Sequence, residues 1–142
     1  MQVMLDTNIV SYYLRRQSPA LHQHVKQGLL ADEIVISSIV RAELRYGQAL
    51  LAPSDIRYVL IENLLPEIPT LDWGKEAADC YGQISAQLKK QGAPISELDT
   101  QIAAHALSTG LILITHNTNY FKRVTGLKMQ DWTMAWHKVV KN

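Results

Sequence analysis

The chain has 142 residues, 47% of them hydrophobic and 19% charged, with 14 Lys and Arg against 13 Asp and Glu. That length suits one domain able to bury about 68–70% of the surface its unfolded chain exposes, and the composition excludes a disordered or low-complexity protein. A formal charge of +1 implies no overall attraction to a polyanion, and a single cysteine, Cys80, excludes an intrachain disulfide or a cysteine-based zinc cluster.

In chain order, the apolar run Val3-Met4-Leu5 predicts a short strand over 2–5 that ends on a carboxylate, Asp6. Thr7 and Asn8 follow as capping residues, and apolar residues of helical period predict helices over 9–16 and 20–27. A strand over 34–37 leads to Ser37 and Ser38, either of which suits the N-cap of a helix over 39–51. A helix over 55–63, a strand over 68–71 and a long helix over 74–91 come next, the last containing Cys80. Gly92-Ala93-Pro94 breaks that helix from one over 97–108, which Gly110 ends. Strands over 111–115 and, more weakly, 128–130 complete the pattern. There is no internal repeat, no linker, no signal-peptide pattern after Met1 and no apolar run near 18 residues, so a cytoplasmic protein without a membrane anchor is expected.

Strands alternating with helices predict an α/β fold: one domain, with a mostly parallel sheet of four or five strands sandwiched by helices. Open sheets of this kind bind ligands beyond the carboxyl ends of their strands. Asp6 closes the first strand, and Thr115-His116-Asn117 occupies the same place on the fourth.

Two further acids stand in apolar company. Glu43, in the second turn of its helix, has Ile39, Val40, Tyr46 and Gly47 as same-face neighbours. Asp99 follows Ser96 at capping-box spacing, which alone would explain it, but its other neighbours are Ile95, Ile102 and Ala103. Burying an unpaired carboxylate costs several kcal/mol, so such groups are paired, protonated or given a cation. Hard oxygen donors around an open site favour Mg²⁺ or Mn²⁺. Acids grouped on a divalent ion are what phosphodiester hydrolysis needs, because the ion activates water and offsets charge on the phosphoryl and leaving oxygens.

The strand-terminal "LDTN", the Ser-x-x-x-x-Glu-Leu-x-x-Gly of Ser38 to Gly47, the Asp-x-x-Ile-Ala-Ala-His-Ala of Asp99 to Ala106, and "GLILITHNTNYFKRVTGLKMQDW" from Gly110 to Trp132 occur in this order. Together they resemble the PIN-domain ribonucleases, and specifically the VapC-like toxins of type II toxin–antitoxin pairs, over residues 2–132. The remaining residues, 133–142, read as a short basic tail. The resemblance implies a Mg²⁺- or Mn²⁺-dependent endoribonuclease acting on transfer or ribosomal RNA. It implies restraint by a VapB-like antitoxin, with homodimers and toxin–antitoxin hetero-oligomers as the expected assemblies. It carries metal binding to Asp6, Asp99 and Glu43, the first two as the more direct ligands. In-line attack by activated water would leave a 5′-phosphate and a 3′-hydroxyl. Many relatives place a fourth acid just past the fourth strand, where this chain has Asn117 and Tyr120. Asn117 can offer an oxygen but no charge, which predicts a weak second metal site or single-metal chemistry.

Thr7, Asn8 and Thr115 read either as helix or strand-end caps or as groups positioning the scissile phosphate. Lys122 and Arg123, just past the fourth strand, are candidates for RNA contact in a C-terminal stretch with five bases and one acid from Thr115 onward. His22, His24 and His105 lack metal-ligand spacing, and His116 reads as a local hydrogen-bonding residue. Trp73, Trp132 and Trp136 read as packing residues, and Tyr12 and Tyr13 as core or interface. A response-regulator receiver would need an early acidic pair and a Lys after a late strand; a phosphatase with an acid nucleophile would need Asp-x-Asp where Asp6-Thr7-Asn8 stands. The alternative from another class is a catalytically inactive PIN-like nucleic-acid-binding module, which would be expected to lack one of the three acids.

Overall fold

The structure is a computed structural model, and it describes residues 2–134. Five strands, β1 (Val3–Leu5), β2 (Ile34–Ser37), β3 (Thr70–Leu71), β4 (Ile112–Ile114) and β5 (Met129–Gln130), form one sheet in the order β3-β2-β1-β4-β5. Every pair is parallel, with Val3 opposite both Ile34 and Ile112 and Leu5 opposite Ile114. The sheet expected to be mostly parallel is therefore wholly so among the described residues. Parallel strands need crossovers and become buried on both faces, and β1, β2 and most of β4 lie in the core.

The crossovers are α1 (Thr7–Leu14), α2 (Pro19–Leu30), α3 (Ser38–Ala49), α4 (Ile56–Leu64), α5 (Lys75–Lys90) and α6 (Glu97–Thr109), with a 3-10 turn at Leu65–Glu67. A four-residue helix, α7 (Thr118–Phe121), lies between β4 and β5; it and the 3-10 turn are too short to show a period, and the sequence pattern missed both. Caps match the expected chemistry: Ser18 accepts from Leu21 N, Ser37 from Ile39 N, and Asp55 from Arg57 N. Gly110, at φ 73°, ends α6 in the left-handed region that only glycine enters without strain.

The core joins Met4, Leu5 and Ile9 to Val35, Ile36, Val40, Ile102, Ala103, Leu113, Ile114 and Phe121. Trp132 seals one side by stacking on His24, with ring centroids 4.9 Å apart. Trp73 donates its indole N–H to the Gln101 carbonyl at 2.9 Å. The packing role expected of both holds; Trp136 and most of the basic tail lie outside the described residues. Among the described residues no helix is long and apolar enough to cross a membrane.

A candidate active site at the switch point of the sheet

Strand β1 lies between β2 and β4, so the chain winds one way from β1 to β2 and β3 and the other way to β4 and β5. At such a reversal the loops leaving the two central strands diverge and open a crevice. Asp6 stands at its centre. Its backbone N–H continues the ladder to the Ile114 carbonyl at 3.1 Å, and its carboxylate caps α1, accepting from Ile9 N at 2.8 Å. Asp6 thus serves as the N-cap of α1, with Thr7 the first helical residue, because the strand ends at Leu5 and leaves Asp6 in the extended conformation an N-cap requires.

Asp6 is only 5% exposed. Burial pushes its carboxyl up to about 6, and the negative charges of Asp99 and Glu43 push in the same direction. Hydrogen bonds from the Thr115 side chain and the Ile9 amide oppose the rise without cancelling it. Thr115, wholly buried at the end of β4, therefore braces the acid, and its Oγ1 also accepts the Asn117 backbone N–H at 3.1 Å.

The other two acids flank this centre from separate helices. Glu43, half-buried on α3, accepts the Thr7 hydroxyl at 2.7 Å, a link between positions 36 residues apart. Asp99, half-buried in the first turn of α6, accepts the Ser96 hydroxyl at 2.7 Å while Ser96 accepts the Asp99 backbone N–H at 3.2 Å. None of the three has an ion-pair partner among the described residues; of the two cations nearest Glu43 in sequence, Arg45 turns to Glu62 and Gln48 and Arg41 to the Thr70 hydroxyl. Among the described residues no three acidic, histidine or cysteine side chains converge closely enough to enclose one ion. Like charges in a poorly solvated crevice repel, and Thr7 and Ser96 each hold one carboxylate on its own wall. The donor set nevertheless fits a hard divalent ion: carboxylate oxygens, one of them buried, without an ion-pair partner, and raised in proton affinity by burial and by the neighbouring acids.

The remaining candidates fall at different distances from this centre in role. Asn117 is exposed and makes no capping hydrogen bond to α7. Asn8 is exposed on the first turn of α1. Tyr120 accepts the Ser96 backbone N–H, tying α7 to the start of α6. Arg123 donates to the Pro94 carbonyl at 3.0 Å and lies over the Tyr120 ring, which gives it a structural task beside any contact with RNA. Lys122 is exposed, with no ion-pair partner among the described residues. Sequence reasoning did not foresee the buried pair of His105 Nδ1 and Ser37 Oγ, 2.8 Å apart, or the contact of His116 with Asp131 at 2.9 Å. Both span many residues, and no local spacing announces them.

A doubly wound parallel sheet with three carboxylates from three elements around its switch point defines an α/β protein with an acid-lined crevice at that point. Comparison with known proteins narrows that class. Residues 3–127 match the PIN domain family, and the chain belongs to it. A tRNA(fMet)-specific endonuclease VapC from Shigella flexneri is 36% identical over 133 residues, covering 94% of this chain and 99% of the relative. Ribonuclease VapC2 from Haemophilus influenzae is 39% identical, covering 93% and 98%. Among solved structures, the DNA-bound VapBC from Salmonella typhimurium superposes with a TM-score of 0.85 at 30% identity, over 93% of this chain and 98% of that one. VapBC-1 from Haemophilus influenzae superposes at 0.82 with 38% identity, over 94% and 100%.

Proposed function

We propose that the chain is a divalent-metal-dependent endoribonuclease of the VapC kind, a toxin restrained by a small VapB-like antitoxin. The observation that carries the reading is Asp6, a buried carboxylate at the switch point whose proton affinity is raised by burial and by two neighbouring acids. A site built this way holds an unfavourable charge that a cation relieves. The names of relatives alike over nearly the whole chain favour RNA as the substrate, and those specific for tRNA(fMet) favour a transfer RNA. The solved VapBC complexes favour an antitoxin partner and a hetero-oligomer.

Asp6 and Asp99 would hold the ion, with Glu43 beside them. When bound, it would supply Lewis-acid activation of water and of the phosphoryl oxygen. The chain's own residues do the rest. Thr115 fixes the Asp6 carboxylate through its hydroxyl, and Thr7 fixes Glu43. Asn8 and Asn117, both exposed, would position the scissile phosphate. Lys122 offers a cation to the flanking backbone, and Arg123 does so while bridging α7 to Pro94. Because Asn117 and Tyr120 bring no charge, one tight metal site is expected.

The test is incubation of total RNA with purified antitoxin-free protein in Mg²⁺, in Mn²⁺ and in chelator, beside Asp6→Asn and Asp99→Asn. Discrete fragments that require metal and disappear in both folded variants are expected. Undiminished cleavage by either variant would remove the assignment. An intact wild type that binds RNA but never cleaves it would favour the binding-module reading.

A further inference from the structure

At the carboxyl edge of the sheet, next to the acid site, an exposed imidazole is fixed by a buried carboxylate. The His116 side chain is 59% exposed and Asp131 only 6%. Asp131 Oδ2 lies 2.9 Å from His116 Nδ1, and Thr133 Oγ1 lies 2.9 Å from the same nitrogen. The other oxygen of Asp131 accepts the Thr133 backbone N–H at 2.9 Å and the Thr133 hydroxyl. A carboxylate can only accept, so in neutral His116 the proton sits on Nδ1 and Nε2 is left facing outward. Tyr12 of α1 meets the imidazole edge-on at 6.2 Å, and the Arg15 guanidinium lies over the Tyr12 ring at 5.3 Å. Tyr12, Gln17, Ser18, His116 and Thr133 together line a shallow pocket.

Asp131 has a structural task, since it also holds Thr133, but the ring it orients is exposed and adds little to the core. It does give a rigid, π-faced, hydrogen-bonding group with a cation one aromatic ring away, a combination that suits single-stranded nucleic acid. The position is also telling. His116 follows Thr115, which braces Asp6, and precedes Asn117, so its Cα is about 3.8 Å along the chain from each.

We infer that His116, held by Asp131 and Thr133 and buttressed by Tyr12, is a subsite for the nucleotide adjoining the scissile phosphate, with Arg15 reaching the phosphate beyond. The imidazole stacks on the base and Nε2 meets a hydroxyl or base edge. Asp131 acts only through His116 and is a positioning residue. The inference rests on the ribonuclease reading for its ligand, but it concerns binding and can be measured without cleavage.

The experiment is fluorescence anisotropy of a labelled single-stranded oligoribonucleotide in chelator, with the full chain free of antitoxin, for wild type, Asp6→Asn, His116→Ala, Arg15→Ala and His116→Ala/Asp131→Asn. Asp6→Asn is expected to bind no more weakly than wild type, because it removes a negative charge beside the scissile phosphate. His116→Ala should bind about fivefold or more weakly, the lower range for loss of one base-stacking contact. His116→Ala/Asp131→Asn should be no weaker than His116→Ala alone, and Arg15→Ala should flatten the salt dependence. In steady-state cleavage with metal, His116→Ala should raise KM more than it lowers kcat. His116→Ala is expected to fold but to melt somewhat lower, because it leaves the buried Asp131 carboxylate to Thr133 alone. Wild-type affinity in folded His116→Ala would overturn the subsite while leaving the nuclease standing. If wild type neither binds nor cleaves RNA, the ribonuclease reading falls, and the subsite with it.

Discussion

Asp6 shows why one residue can carry both the chemistry and a cost in stability. Its carboxyl has an ordinary value of 3.8 and a folded value of about 6, burial being the main cause. Between those limits the folded chain holds the proton more tightly than the unfolded chain. The site's contribution is therefore most favourable below pH 3.8 and is lost as pH rises through about 6. Near neutrality the ionised group weakens the metal-free fold by about 3 kcal/mol, the equivalent of that shift. Asparagine keeps the oxygen that caps Ile9 and removes the charge. In chelator, Asp6→Asn is expected to be more stable than wild type at pH 7 to 8 and no more stable near pH 4, as read from urea unfolding across that range. Added Mg²⁺ should raise the melting temperature of wild type only. A variant less stable than wild type at pH 7 in chelator would mean that the carboxylate is compensated by something other than a cation. The pairing of an apolar strand with a terminal acid made Asp6 legible in the sequence. The link from Thr7 to Glu43 was not, because it joins the first residue of α1 to a helix residue 36 positions away, and a threonine after an aspartate reads locally as a cap.

At the level of elements, the alternation of apolar runs and caps located each of the six longer helices and all five strands to within a few residues. What it did not convey is how closely they meet. Gly28, in the last turn of α2, lies one residue past the helix expected over 20–27. A Cβ placed there would lie 2.6 Å from Ile34 Cδ1 and 2.8 Å from Cγ1, so the glycine is where α2 presses against β2. Alanine gains about 1 kcal/mol in helix propensity over glycine, but overpacking a buried contact costs about 1–3 kcal/mol. With Ile34 buried and Trp132 Cη2 3.5 Å from the same point, the clash is expected to win. Gly28→Ala should lower the urea midpoint, and Ile34→Val in the same chain should recover part of it by removing Cδ1. A midpoint raised by Gly28→Ala alone would show that propensity outweighs packing there.

The whole molecule depends on contacts that hold the helices bearing the acids against one sheet. Parallel strands could be inferred from the order of elements; that β1 would lie between β2 and β4, gathering Asp6, Glu43 and Asp99 at one edge, is settled by tertiary packing. The pair of His105 on α6 and Ser37 at the end of β2 belongs to that packing. Ser37 Oγ accepts from Ile39 N and lies 2.8 Å from His105 Nδ1, a pairing open to the neutral imidazole in either tautomer. Burial lowers its proton affinity below the ordinary 6.5, with Asp72 opposing the shift. Here the unfolded chain takes up the proton first. The stability His105 contributes is complete above pH 6.5 and is lost as pH falls through its lowered folded value. That slope is opposite in sign to the one at Asp6, and in wild type the two partly cancel between pH 4 and 6.5. The Asp6→Asn background separates them. There, stability should fall on acidification below pH 6.5, and adding His105→Gln, which can still hydrogen-bond Ser37 but cannot titrate, should flatten that fall. An unchanged slope in the double variant would place the acid sensitivity of the fold elsewhere than at the joint between α6 and β2.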